Sequence, residues 1–219
     1  MKKEELFSKI ETAIIEGRKS EAEELAREAI KAKLDLTEVI EKGYVPGIQK
    51  VGDLWEKGDY FLPELITSAE CMKAAMAILQ PELDKAHIQA KSKGRVVIGT
   101  IEGDIHDIGK TVVAAMLQAN GYEVHDLGVE VPATRFIQAA QETGAHIIGL
   151  SALLSTTMLY QRDVVELLRN KGLKESYFVI VGGAPVTQAW ADQIGADAFA
   201  RDAVAAVRVL DSRREEWSR

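Results

Sequence analysis

Apolar residues recur at three- and four-residue spacing through the first part of the chain, most clearly at Leu65, Ala69, Met72, Met76 and Leu79, which places them on one stripe of a helix. The pattern predicts helices at roughly 2–16, 20–33, 36–57 and 62–86, punctuated by Gly17, Gly58 and a helix start at Pro63. No convincing strand pattern interrupts them, so residues 1–90 are expected to form a four-helix bundle. Between Ala86 and Gly94 the apolar pattern lapses and lysines gather, as in a solvated connection. A second domain is expected over 91–219.

From Arg95 the period changes. Short β-branched runs at Val96–Thr100, Glu123–Leu127, His146–Leu150, Phe178–Val181 and Asp197–Ala200 alternate with helix-length segments. Strands separated in this way need parallel crossover connections, so a five-stranded parallel sheet with helices on both faces is expected, an α/β domain of Rossmann-like (flavodoxin-like) type. Ligands of such sheets sit at the carboxyl ends of the strands, which directs attention to the loops after Thr100, Leu127, Leu150 and Val181.

Composition narrows the function classes. The 219 residues are 47% hydrophobic, enough for a proper core, and Cys71 is the single cysteine, so no internal disulfide forms. The most hydrophobic stretch, Ile147–Leu154, is strand-sized, and no membrane span is expected. The start Met-Lys-Lys-Glu-Glu lacks the apolar stretch of a secretory signal, and a reducing cytoplasm is the expected location. A net charge of −7 without a Lys/Arg patch disfavours nucleic acid as a partner.

The loop after the first strand, Glu102-Gly103-Asp104-Ile105-His106-Asp107-Ile108-Gly109-Lys110, is read as running up to a helix at Thr111–Ala119. A histidine there can project a ring nitrogen out of the domain, with Asp104 two residues earlier able to accept from the other nitrogen, as metal-bound histidines require. Equally, His106 can be a surface histidine, with Asp104 and Asp107 serving the turn and the helix start. The run Gly103 to Thr111 has one residue too many for a Walker loop, and the glycines do not fit a dinucleotide fingerprint. After the third and fourth strands come Ser151-Ala152-Leu153-Leu154-Ser155-Thr156-Thr157 and Gly182-Gly183-Ala184-Pro185. The two glycines either let a ligand approach the backbone or make a tight turn.

Asp104-x-His106-x-x-Gly109, then 41 residues, Ser151-x-Leu153, then 28 residues, Gly182-Gly183: this order and spacing resembles the cobalamin-binding signature of corrinoid proteins and of the cobalamin domain of methionine synthase. Upstream, Gly52-Asp53-Leu54-Trp55 through Gly58-Asp59-Tyr60-Phe61-Leu62-Pro63-Glu64-Leu65 and Ser68-Ala69-Glu70 resemble the helical cap that precedes this domain in corrinoid-dependent methyltransferases. The resemblance covers about residues 1–210.

It implies a cobalamin or related corrinoid as cofactor, with His106 as the lower axial cobalt ligand and Asp104 hydrogen-bonded to it. A hydroxyl six residues beyond Ser151 would extend that relay, and Thr157 stands there. Asp107, Ile108 and Gly109 belong to the same cofactor-binding loop. Ser151 would contact the buried base, while Leu153, Gly182 and Gly183 would shape the slot of the nucleotide tail. Phe61 would cap the reactive face; Leu65 and Cys71 are better read as bundle core. The implied role is methyl transfer with two partners, a substrate-specific methyltransferase and a corrinoid:folate or corrinoid:thiol methyltransferase, together with a reductive activase. A cobalamin-sensing regulatory module and a mutase small subunit are the alternatives; no DNA-binding segment is seen for the first, and the helical cap argues against the second.

Overall fold

The computed structural model describes residues 3–85 and 92–217. Residues 86–91, with His87 and most of the expected connection, lie outside them. Two compact units result, one holding the helices of the first part with Gln118–Asn120, the other holding the rest from Ser92 onward. No helix among the described residues is long and apolar enough to cross a membrane.

In the helical unit, α1 (Lys3–Ile15), α2 (Lys19–Lys31), a run from Leu36 to Lys57 and α5 (Leu62–Lys85) follow the apolar period. The third predicted helix is not uniform. It consists of α3 (Leu36–Val39), a π-helical turn over Ile40–Tyr44 and α4 (Val45–Lys57). Asp35 starts it by accepting hydrogen bonds from the Thr37 and Glu38 amides. The wide turn precedes Pro46, which has no N–H to continue the ladder. It also carries Gly47 against α1, where a Cβ would stand 2.8 Å from that of Ile14. Leu6, Ile10, Ile14, Leu25, Ile48, Val51, Leu65, Met72 and Leu79 fill the interior.

The second unit runs β1 (Arg95–Thr100), α6 (Ile108–Ala119), β2 (Glu123–Asp126), α7 (Ala133–Thr143), β3 (Ile147–Ser151), α8 (Leu159–Asn170), a 3-10 turn (Lys174–Ser176), β4 (Phe178–Gly182), α9 (Gln188–Ile194), β5 (Ala198–Ala200), α10 (Ala203–Ser212) and α11 (Arg214–Trp217). All five strands are parallel, in the order β2-β1-β3-β4-β5. Val97, Ile148, Leu150, Val179 and Val181 share one core with Phe136, Val165, Leu168 and Trp190 of α7, α8 and α9. The alternating residues Val96, Ile98, Ile147 and Ile180 are buried as well. Both faces are therefore covered, which is why the central strands read as unbroken apolar runs.

Register aligns the strand ends. Thr100 pairs with Ser151, Ser151 with Gly182, and Gly182 with Ala200. The loops singled out in the sequence leave the carboxyl ends of the strands, and the chain reverses its direction of strand addition between β1 and β3, where ligands of open α/β sheets bind.

Candidate functional site

The β1–α6 connection is shorter than the sequence suggests. The helix begins at Ile108, with the Thr111 amide bonded to the Asp107 carbonyl, so Ile108, Gly109 and Lys110 form its first turn instead of extending the loop. Glycine is a poor helix former, and Gly109 made this turn read as irregular. Residues 105–109 are exposed, bounded by two buried charged side chains, Asp104 and Lys110.

Asp104 is 1% exposed and accepts four hydrogen bonds. On Oδ1 it takes the His106 ring Nδ1 at 2.7 Å and the His106 amide at 3.1 Å; on Oδ2 it takes the Leu153 amide at 2.8 Å and the Thr157 hydroxyl at 2.7 Å. Burial alone would raise its pKa, but the donors from Thr157, Leu153 and His106 prevail and hold it well below the ordinary carboxylate range. A carboxylate that stays ionised only accepts, so the histidine nitrogen facing it must carry the proton. In the neutral ring the lone pair is then on Nε2, which makes no hydrogen bond among the described residues, on a side chain 46% exposed. The Asp104 carboxylate thereby sets both tautomer and ring orientation.

The structure thus brings Asp104, His106, Leu153 and Thr157 together across the ends of β1 and β3. Ser151 ends β3 with its hydroxyl uncommitted to protein among the described residues, and its carbonyl takes the Ile101 amide. The glycine pair is closely packed against neighbouring backbone. A Cβ on Gly183, at φ 125°, would lie 1.7 Å from the Ala152 carbonyl oxygen, and one on Gly182 would lie 3.0 Å from that of Ala200. Neighbouring backbone already leaves no room for side chains there.

Sequence reasoning missed a brace beneath these loops. Gln161 of α8 is fully buried; its amide NH2 donates to the carbonyls of Leu150 and Gly182, and its carbonyl accepts from the Trp190 indole. Glutamine on a helix reads as surface, and only its place on the buried stripe with Val164, Val165 and Leu168 signals otherwise. In the helical unit, Phe61 is 65% exposed, together with Leu62 and Ile66, whereas Leu65 and Cys71 are buried.

Residues 94–210 match the family described as the B12 binding domain, and residues 6–80 match a second family of the same description. The chain belongs to the B12-binding family.

Among its relatives, a corrinoid protein of Desulfitobacterium hafniense is 48% identical over 207 residues, covering 94% of this chain and 96% of that one. Dimethylamine corrinoid protein 2 of Methanosarcina acetivorans is 48% identical over 205 residues, 94% of each chain. Among solved structures, the methanol:cobalamin methyltransferase complex MtaBC of Methanosarcina barkeri matches with a TM-score of 0.85 at 33% identity, over 98% of this chain and 81% of that one.

The strand-end loops of this B12-binding protein fit a corrinoid. Ile105 and Ile108 beside His106, and Leu153, Leu154, Leu159 and Tyr160 on the loop and helix after β3, are all between 42% and 70% exposed, an apolar surface that a flat macrocycle can cover. Gly103 joins the two loops, since a Cβ there would sit 3.8 Å from both Thr157 and Tyr160. Among the described residues no group of three or more His, Cys, Asp and Glu side chains gathers to hold a bare ion. One imidazole suffices when the metal arrives with a macrocycle supplying its remaining ligands.

Proposed function

We propose that this chain is a corrinoid methyl carrier, which accepts a methyl group from a substrate-specific methyltransferase and passes it to a second methyltransferase acting on tetrahydrofolate or a thiol. When bound, the corrinoid supplies a cobalt able to take up and give off a methyl group, and the protein supplies orientation and electrostatics. The carrying observation is the Asp104–His106 pair, with Nδ1 engaged at 2.7 Å and Nε2 left without a protein partner among the described residues.

In this reading His106 would hold the cobalt through Nε2. Asp104 holds the ring and answers the charge that ligation draws from it, and Thr157 and the Leu153 amide hold Asp104. Ser151, Leu153, Gly182 and Gly183 line the strand ends where the nucleotide tail would enter, with Asp107, Ile108 and Gly109 beside the ring plane. Phe61 presents an exposed aromatic surface of the kind a macrocycle covers. The names of the relatives support small methylated compounds, dimethylamine and methanol among them, as the first donors to try with the partner methyltransferase. A reductive activase is the third expected partner.

The test is the visible spectrum of the purified protein loaded with hydroxocobalamin, wild type beside His106→Ala. A coordination-sensitive spectrum in the wild type that is altered in the variant supports the reading. Identical spectra would remove His106 as ligand, and failure of the wild type to retain the corrinoid would remove the carrier role.

A further inference from the structure

Lys110 is the unexplained charge of this unit. Its side chain is 2% exposed, it stands in the first turn of α6, and both its hydrogen bonds go to the carboxylate oxygens of Asp126 at the end of β2. Both aspects of that location are unfavourable for a cation: burial strips its water, and the N-terminal end of a helix carries partial positive charge. A methionine or leucine would fill the same space without either cost.

The ion pair holds the far side of the His106 loop. Asp104 anchors that loop toward β3 through Leu153 and Thr157. On the side of β2, Asp126 accepts the Gly128 amide at 2.9 Å, and the Gly128 carbonyl accepts the Thr100 amide at 3.0 Å. The Thr100 hydroxyl, fully buried, donates to the His106 carbonyl at 2.8 Å. The Glu130 amide donates to the Asp104 carbonyl at 3.0 Å, from a residue at φ 53°, a backbone conformation that a glutamate adopts only when its surroundings impose it. Lys110–Asp126 closes this circuit by tying α6, just beyond the exposed run 105–109, to the start of segment 126–131.

We propose that Lys110 and Asp126 are positioning residues for His106, fixing the height and angle at which the imidazole is presented; this rests on the reading of His106 as the cobalt ligand. Neither touches the ring, and both act through the loop and the 126–131 segment. Burial of the Lys110 ammonium makes the constraint stiff, because any displacement of the loop that takes it from Asp126, whose carboxylate is 36% exposed, leaves the cation unpaired in the interior.

Lys110→Met, which keeps the stem and removes the charge, is compared with wild type, and Asp126→Asn serves as the milder variant should the first not fold. In the cofactor-free protein, hydrogen exchange at the His106 amide should quicken by about tenfold in the variant while amides of β3 and β4 keep their protection. Loaded with hydroxocobalamin, the variant should show a smaller histidine-coordinated fraction than wild type, short of the complete loss in His106→Ala. Unchanged exchange at His106, or equal loosening of β3 and β4, would overturn the positioning role. If His106→Ala leaves the spectrum unaltered, the ligand reading fails and the inference falls with it; if that variant alters the spectrum and Lys110→Met does not, only the inference falls.

Discussion

The helical unit and the sheet unit bury polar groups on different terms. Inside the bundle, the Tyr44 hydroxyl donates to the Ala22 carbonyl at 2.7 Å, while the Ser68 hydroxyl is fully buried without a hydrogen bond. In the sheet unit, Asp104 accepts four bonds, Gln161 makes three, and Lys110 meets both oxygens of Asp126. Asp104, Gln161, Asp126 and the Thr100 hydroxyl all lie at or beneath the carboxyl ends of the strands. A bundle needs only an apolar interior of the right volume, whereas loops that hold a defined shape at the strand ends need saturated, directional contacts under them. Polar burial in this chain accordingly marks where geometry is specified, and apolar burial marks where it is merely filled.

The largest expected effect comes from removing the best-saturated group. Asp104→Ala strands the Leu153 and His106 amides and leaves the Thr157 hydroxyl only the Leu154 carbonyl at 3.1 Å, and should cost on the order of 3 kcal/mol of sheet-unit stability in denaturant unfolding. It should also free the His106 ring to turn, seen as averaging of its side-chain NMR signals in the cofactor-free protein. A cost within experimental error of zero would mean that water replaces the carboxylate freely, and the contrast between the units would lose its strongest member.

Gln161→Leu comes next. It preserves approximate volume but leaves the Leu150 carbonyl and the Trp190 indole without the amide, although the Gly182 carbonyl keeps the Ala152 amide at 3.2 Å. A loss of about 2 kcal/mol is expected, read by urea unfolding. The loosening should be concentrated at Leu150–Ala152 and Val181–Gly183 in hydrogen exchange. Uniform loosening of the whole sheet would instead show that the amide supports general packing and is no brace for the strand ends.

Much of this was legible beforehand because it rests on apolar runs. The strands appear as β-branched stretches, and the change of period at Arg95 separates helices from sheet. The histidine loop was legible through its spacing to Ser151 and Gly182. What was hidden depends on contacts between segments distant in sequence. Gln161 and Lys110 look like surface residues until a neighbouring strand end or Asp126 is placed beside them. The packing of Gly183, whose added Cβ would stand 1.7 Å from the Ala152 carbonyl oxygen, is likewise invisible in the sequence. The helix start at Ile108 was obscured by Gly109, and the π turn after Val39 by the same apolar period that suggests one uniform helix. Composition and period report burial; they do not report which hydrogen bonds burial demands.

The smallest effect tests the helical unit's own polar contact, and its sign depends on pH. Burial holds the Tyr44 phenol well above the ordinary tyrosine range. A group whose folded pKa is raised contributes stability that is complete below its unfolded pKa, about 10 for tyrosine, and that is lost as pH rises toward the folded value. At neutral pH, Tyr44→Phe should therefore destabilise the bundle by about 1 kcal/mol, the net worth of one hydrogen bond, since the Ala22 carbonyl lies inside α2 and keeps its helical partner. Above about pH 10 the wild type loses the Tyr44 contribution, which the phenylalanine variant lacks, while Tyr60 and Cys71, also raised by burial, act alike in both, so the gap should close and then reverse. Tyr122, in the sheet unit, is raised by burial and by its hydrogen bond to Asp211, so a global alkaline melt mixes both units. Hydrogen exchange at α2 and α4 amides against β3 and β4 amides separates them. If the gap stays constant through alkaline pH, Tyr44 ionises without unfolding the bundle, water reaches its hydroxyl, and the helical interior is less apolar than its residues imply.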